Sequence, residues 1–158
     1  MKKRVLYSVV LLILAVGLIG CGKSSSKKGF TITCTDEVDN STGFEIQNIT
    51  KYEFNEEQYA VGYSLITKQK FTDKETYDIY KSAQEETAKY TSDMDVKYDL
   101  KSDDKNMTLE LIVKVENLDI LKASEEEKEE FKASNVLKKS EENNGNCKLE
   151  GIDRKDLK

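Results

Sequence analysis

The sequence contains no histidine and no tryptophan, and only three of its 158 residues are cysteine. Histidine is the commonest general base and metal ligand, so its absence removes much of the familiar acid–base chemistry. Without tryptophan the chain lacks the strongest platform for stacking on nucleic-acid bases. Three cysteines are too few for a four-thiolate zinc site. We therefore predict a protein that is not an enzyme and that needs no metal or cofactor.

The amino-terminal residues have the layout of a secretory signal. Lys2–Arg4 are basic, an apolar run extends from Val5 to Ile19, and Gly20 and Cys21 follow. This order of charged, apolar and small residues is typical of an export signal, and the apolar run is short for a membrane span. A single anchor helix retained in the mature protein is the alternative interpretation.

The last four residues of this region, Leu18–Cys21, carry a more specific pattern. They resemble the lipobox of bacterial lipoproteins. The resemblance implies a signal peptide of residues 1–20, transfer of a diacylglycerol to the Cys21 thiol, and cleavage just before Cys21. The mature protein would then be anchored to the cell membrane by lipid, without spanning it, and would face away from the cytoplasm.

The segment that follows differs in composition from the rest of the chain. Residues 22–29 are only glycine, serine and lysine, which predicts a flexible tether over residues 21–29 ahead of one domain, residues 30–158. After residue 20 the chain keeps 22 basic and 30 acidic residues, a net charge of −8, and residues 30–158 alone carry −11. Such an acidic domain is a poor partner for nucleic acid and is repelled by anionic lipid. We expect it to stand off the membrane that holds its tether.

Two cysteines, Cys34 and Cys147, remain once Cys21 is lipidated. Outside the cytoplasm an even pair can persist as a disulfide. We predict a bond between them, with Cα atoms about 4.4 to 6.8 Å apart, that pins the C-terminal segment against the first strand. Two separate reduced cysteines are the alternative.

Alternation of apolar and polar residues predicts five strands. Three come first, and two form a hairpin whose strong pattern places it at the centre of the sheet. The strands cover Phe30–Cys34, Phe44–Phe54, Tyr59–Leu65, Val96–Leu100 and Met107–Val115.

Two capping-box patterns predict helices. Thr72–Glu75 starts a helix over residues 73–93, and Ser124–Glu127 starts one that ends at Asn143. The charged tail after Gly151 is expected to fray.

The predicted order βββ-α-ββ-α indicates an α+β fold, an antiparallel sheet with two helices on one face and the C-terminus tied to the first strand. Three features together resemble the small YehR-like bacterial lipoproteins of unknown function. They are this order of elements, the lipobox, and one cysteine in the first strand with another near the end. The resemblance covers the whole mature chain.

Two acidic clusters were considered as calcium sites. One is Glu125–Glu130, and the other comprises Asp93, Asp95, Asp99, Asp103 and Asp104. Neither has the glycine and the closing bidentate glutamate of an EF-hand loop, so we interpret both as solvated faces.

Tyrosine is the one compositional sign of recognition, because its ring offers contact area and its hydroxyl a polar end. Packing in the core is the plainer interpretation. The seven mature tyrosines are Tyr52, Tyr59, Tyr63, Tyr77, Tyr80, Tyr90 and Tyr98.

These observations predict a membrane-anchored, non-enzymatic domain that binds a ligand or an envelope protein. One alternative is a carboxylate-based hydrolase of envelope polymers, which requires two carboxylates with perturbed pKa values in one cleft. The other is a structural or assembly spacer without a pocket.

Overall fold

The computed structural model describes residues 28–40, 43–91, 96–116, 118, 123–143 and 145–158. The predicted signal peptide, Cys21 and the tether up to residue 27 lie outside these residues. The described chain is α+β, as predicted. Its strands are β1 (Lys28–Thr35), β2 (Glu45–Asn55), β3 (Ala60–Lys70), β4 (Val96–Asp103), β5 (Thr108–Glu116) and β6 (Asn146–Glu150). Its helices are α1 (Lys74–Thr91), α2 (Glu125–Glu130) and α3 (Ala133–Glu142), followed by a short 3-10 helix, Arg154–Asp156.

The six strands form one antiparallel sheet in the order β4-β5-β3-β2-β1-β6. The sequence predicted about five strands, because β6 has only five residues and shows a single step of alternation, Cys147 and Leu149. The β4–β5 hairpin lies at one edge of the sheet, so its predicted central position is wrong. Strong alternation of apolar and polar residues indicates that one face of a strand is buried. An edge strand can be buried on one face just as a central strand can, so alternation does not give the position in the sheet.

The disulfide joins the first strand to the last. Cys34 and Cys147 are directly opposite each other in the β1–β6 pair, their Cα atoms are 4.0 Å apart, and the S–S bond is formed. The predicted bond and its placement are confirmed, but the Cα separation is slightly shorter than the predicted range. It joins two positions separated by 113 residues.

The helix starts differ in how well they follow the capping pattern. At α2, the Ser124 side chain accepts a hydrogen bond from the Glu127 amide and the Glu127 carboxylate accepts one from the Ser124 amide, as predicted. At α1, Asp73 and not Thr72 is the cap, since its carboxylate accepts from the Thr76 amide at 2.7 Å. The helix therefore begins one residue later than predicted, because Asp73 reaches the free amide of the first turn.

The second predicted helix is divided into α2 and α3 at Phe131 and Lys132. There the backbone pairs with the β2–β3 turn: the Ala60 amide donates to the Phe131 carbonyl at 3.0 Å, and the Ala133 amide donates to the Gln58 carbonyl at 2.9 Å. These bonds compete with the helical ones, which is why the helix is interrupted.

The C-terminal tail is ordered, so the predicted fraying is wrong. The buried Gln58 side chain donates to the Asp156 carbonyl at 2.8 Å and accepts from the Lys158 amide at 2.7 Å. The Ser134 hydroxyl donates to the Lys158 carbonyl at 2.6 Å. Leu157 packs against the core. The Gln58 side chain thus satisfies one carbonyl and one amide of the tail backbone. The tail is ordered by these bonds, although its charged sequence alone predicts that it is solvated.

Candidate functional site

The helices cover the two ends of one face of the sheet. Helix α1 packs against β4 at one edge, and α3 packs against β6 and β1 at the other. The core is correspondingly divided into two clusters of buried residues. The larger lies under α3 and includes Ile32, Phe54 and Val115, and the smaller consists of Phe44, Phe71, Tyr77 and Leu109.

A strip of half-buried residues lies between these clusters, on the same face of the middle strands. Asn48 on β2 is opposite Thr67 on β3, which is opposite Leu111 on β5. Along β3, Leu65 separates this row from the buried Tyr63. We define the polar site as Asp36, Asn48, Tyr52, Tyr63 and Thr67.

A chain of hydrogen bonds crosses the strip. The Thr67 hydroxyl donates to the Asn48 side-chain oxygen at 2.9 Å, and the Asn48 side chain is hydrogen-bonded to the Asp36 carboxylate. The Asp36 amide also donates to the Asn48 carbonyl at 2.9 Å, which fixes the end of β1 beside β2. Burial raises the pKa of the Asp36 carboxyl above its ordinary value, and the Asn48 hydrogen bond offsets part of that rise.

Tyr52 and Tyr63 form the deeper end of the polar site. They are directly opposite in the β2–β3 pair, with ring centroids 6.1 Å apart. Burial raises the pKa of each hydroxyl to about 12, and electrostatic interaction with the Tyr63 hydroxyl and with Asp36 adds to the shift at Tyr52. Tyr52 therefore lies close enough to interact with each of these two residues. Both tyrosines stay neutral at physiological pH, so they act as hydrogen-bonding groups and not as bases.

The Tyr63 hydroxyl is the unusual atom of the site. Tyr63 is 8% exposed, and its hydroxyl oxygen is buried with no hydrogen-bond partner among the described residues. Leaving such a group unsatisfied costs about 1 to 3 kcal/mol. A phenylalanine at position 63 would avoid that cost.

We expect Tyr63→Phe to raise the free energy of unfolding by about 1 kcal/mol, because it removes a buried hydroxyl that has no partner. The matched control is Tyr98→Phe, since the Tyr98 hydroxyl donates to Gln84 and its loss should lower stability by about 1 kcal/mol. Urea unfolding of both variants and the wild type measures the difference. A loss of stability in Tyr63→Phe as large as that in Tyr98→Phe would contradict the assignment.

The polar site offers one perturbed acid. The Asp36 carboxyl has a raised pKa, and no second carboxylate contributes to that shift. A hydrolase of the paired-carboxylate kind uses a second acid in the same cleft. The polar site therefore offers hydrogen-bonding groups and a single carboxylate.

The residues of the two acidic clusters are placed apart from this site. Glu125–Glu130 form the exposed α2, where Lys128, Lys132 and Lys139 pair with three of the glutamates. Asp104 accepts from Tyr77 and Lys81. Asp93 and Asp95 lie outside the described residues. Within the described part of the chain, no three cysteine or carboxylate side chains are grouped to hold a metal ion.

The tyrosines divide between the site and the core. Tyr52 and Tyr63, which form part of the polar site, also pack in the larger cluster, and Tyr59, Tyr77 and Tyr98 pack in the two clusters. Tyr80 is 36% exposed and its ring contacts those of Phe44 and Phe71, and the Tyr90 side chain lies outside the description.

The helix-free face of the sheet carries a shallow groove of about 440 Å³. Its lining includes two ion pairs, Lys70 with Glu45 and Lys101 with Glu110, all of them solvated. The paired charges neutralise each other. Charged side chains on a sheet surface that no helix covers disfavour association with other chains.

No helix of the described ranges has the length and apolarity that a membrane crossing requires.

Comparisons with protein-family models, with curated proteins and with solved structures find no match to this chain. The resemblance to the YehR-like lipoproteins therefore stays a prediction, and the residues of the polar site are the basis for a functional assignment.

Proposed function

We propose that this chain is an exported lipoprotein, anchored to the membrane through lipid on Cys21, whose domain binds a ligand at the polar site without catalysis. The observation that carries the proposal is the buried, unpartnered Tyr63 hydroxyl on the strand next to Tyr52. A bound molecule that satisfies this hydroxyl would recover the free energy that the empty site loses.

The surroundings of the site favour binding. The strip between the helices leaves Asp36 and Asn48 half-buried while Tyr63 is fully covered, so the site has an accessible end and an enclosed one. Small-molecule sites combine a few placed polar groups with apolar side chains. The apolar part here is Leu65 and Leu111.

The anchor rests on the lipobox and the composition of the tether. Strand β1 begins at Lys28, so Lys28 and Gly29, which the sequence assigned to the tether, are part of the strand. Lys23, Lys27 and Lys28 would each add up to about 1 kcal/mol of attraction to anionic headgroups. The folded part, with a net charge of −11 over residues 30–158, would be kept off the same surface.

We expect Cys21→Ser to abolish lipid attachment and to leave an uncleaved precursor, since the serine hydroxyl does not accept the diacylglycerol and the signal peptidase of the lipoprotein pathway acts on the lipidated form. Mass spectrometry of the N-terminus and fractionation of membranes measure both effects. The control Ser26→Ala, in the tether, should be processed as the wild type is. An intact Met1 on the membrane-bound wild-type protein would overturn the anchor in favour of a retained helix.

The binding proposal is tested by nuclear magnetic resonance on the ¹⁵N-labelled full chain. Small probes of different charge are titrated, and the amide signals of residues in the polar site are followed. Saturable shifts at Asp36, Asn48, Tyr52 and Tyr63 with at least one probe support a binding domain, and their absence with every probe counts against it.

A further inference from the structure

Strand β4 forms one edge of the sheet, and among the described residues it pairs as a strand with β5 alone. Its register with β5 is continuous from Val96 to Asp103, without a bulge or a glycine. Bulges, short length and a covering helix are common ways to block pairing at an edge. The other edge strand, β6, has only five residues and packs against α3. Of the two edges, β4 is therefore the one more open to a further strand.

Helix α1 is anchored toward the interior of the sheet and not along its outer edge. The buried Tyr77 lies in one cluster with Leu109 of β5 and with Phe71, which follows β3. On the face that α1 occupies, Ser102 near the end of β4 is exposed. The first half of α1 thus leaves this end of β4 in solvent.

The side chains that β4 presents on the helix-free face alternate in charge. They are Lys97, Asp99, Lys101 and Asp103, and all four are exposed. Their charges sum to zero, in a domain that is acidic as a whole. Asp99 lies opposite Ile112 of β5 and forms no ion pair with a described residue. Its carboxylate is therefore available to a cation beyond the edge.

An antiparallel strand of the same sequence complements this pattern in one register, with Leu100 opposite Leu100 of the second copy. Lys97 then faces Asp103. Asp99 faces Lys101, and each pair occurs twice because of the two-fold symmetry. A register shifted by two residues instead places Asp99 or Lys101 opposite itself. Cross-strand pairs of opposite charge stabilise a sheet and like charges destabilise it, so the pattern selects the register centred on Leu100.

We propose that β4 is a dimerisation edge, at which a second copy of this chain adds its own β4 in antiparallel orientation with Leu100 at the two-fold axis. The six strands of each copy then join in one continuous sheet, with the helices of both copies on the same face. The proposal is independent of any ligand at the polar site.

The net charge of the domain opposes association at long range. Salt at about 0.15 M screens charges that are more than roughly 8 Å apart, whereas facing side chains of paired strands have Cβ atoms about 5 Å apart. The local pairs therefore outweigh the long-range repulsion at this ionic strength. A single strand edge is a small interface, so the dimer dissociates on dilution.

The test is sedimentation velocity of the full chain at about 0.5 mM, in a density-matched polyether detergent and about 0.15 M salt. Asp99→Lys and Lys101→Glu each place like charges opposite one another at two positions, so each variant alone should weaken the dimer by at least about tenfold. An equimolar mixture of the two should restore dimers. In the mixture, the introduced lysine of one copy faces the introduced glutamate of the other.

The matched control is Lys148→Glu, which makes the same change of charge at an exposed position of the opposite edge strand, β6. It should dimerise as the wild type does, and equal weakening by this control would show a general charge effect and overturn the proposal. A wild-type chain that stays monomeric at the highest concentration would overturn it. Two chains in one micelle would not respond to the charges of β4, so undiminished association of both single variants would also overturn it. A mixture that stays monomeric would do the same.

Discussion

Replacing Cys34 and Cys147 together by alanine is expected to lower the melting temperature of the domain that begins at Lys28 by roughly 15 to 20 °C. The disulfide spans 113 residues, and in the chain-entropy account closing a loop of that length contributes about 4 to 5 kcal/mol by restricting the unfolded state. It is also the covalent link that holds the five-residue β6 at the edge of the sheet. Circular dichroism during heating measures the shift.

Reduction provides the control for this experiment. The wild-type domain in a thiol reductant should melt near the temperature of the double variant, while the reductant should leave the double variant itself unchanged. A fall of less than about 5 °C in both cases would contradict the role given to the bond. Labelling of Cys34 or Cys147 by an alkylating reagent without reductant would show that the bond is absent in solution.

Tyr77→Ala is expected to lower the free energy of unfolding by about 3 to 5 kcal/mol, the range for deleting a buried aromatic ring. Tyr77 is 0% exposed, its ring contacts Phe71 with centroids 5.7 Å apart, and its hydroxyl donates to Asp104 at 2.6 Å. It joins α1 to the smaller of the two core clusters. Denaturant unfolding followed by circular dichroism measures the loss.

Ile79, two residues further along α1, is the matched control. It is 62% exposed, and alanine is the best helix former, so Ile79→Ala should change stability by less than about 0.5 kcal/mol. Similar losses in the two variants would show that α1 contributes through its helical content and not through the Tyr77 contacts.

The sequence was a good guide to the strands and helices but a weaker one to their ends and positions. Ser124 and Glu127 form the expected capping box because both partners are local in sequence. At α1 the choice between Thr72 and Asp73 depended on which side chain reached the Thr76 amide, and pattern alone does not decide it. The edge position of the β4–β5 hairpin follows from how the strands pair, which alternation does not encode.

The polar site was harder to predict. Asp36, Asn48 and Thr67 belong to different segments and form no motif, and they meet only because of the register of β1, β2 and β3. Tyr52 and Tyr63 were among seven tyrosines with nothing to distinguish them. One signal was available in the sequence. Asn48 and Thr67 are polar, yet the alternation of their strands places them on the face that is otherwise buried.

The bond between β1 and β6 also determines how the domain transmits force. A pull between Lys28 and Lys158 meets a covalent link at Cys34 and Cys147. Only residues 28–34 and 147–158 lie outside that link, and fully stretched they extend about 60 Å in total. The 112 residues between the cysteines, which include the polar site, bear no tension along this path. A domain pulled between these two residues would lengthen slightly and keep the polar site intact.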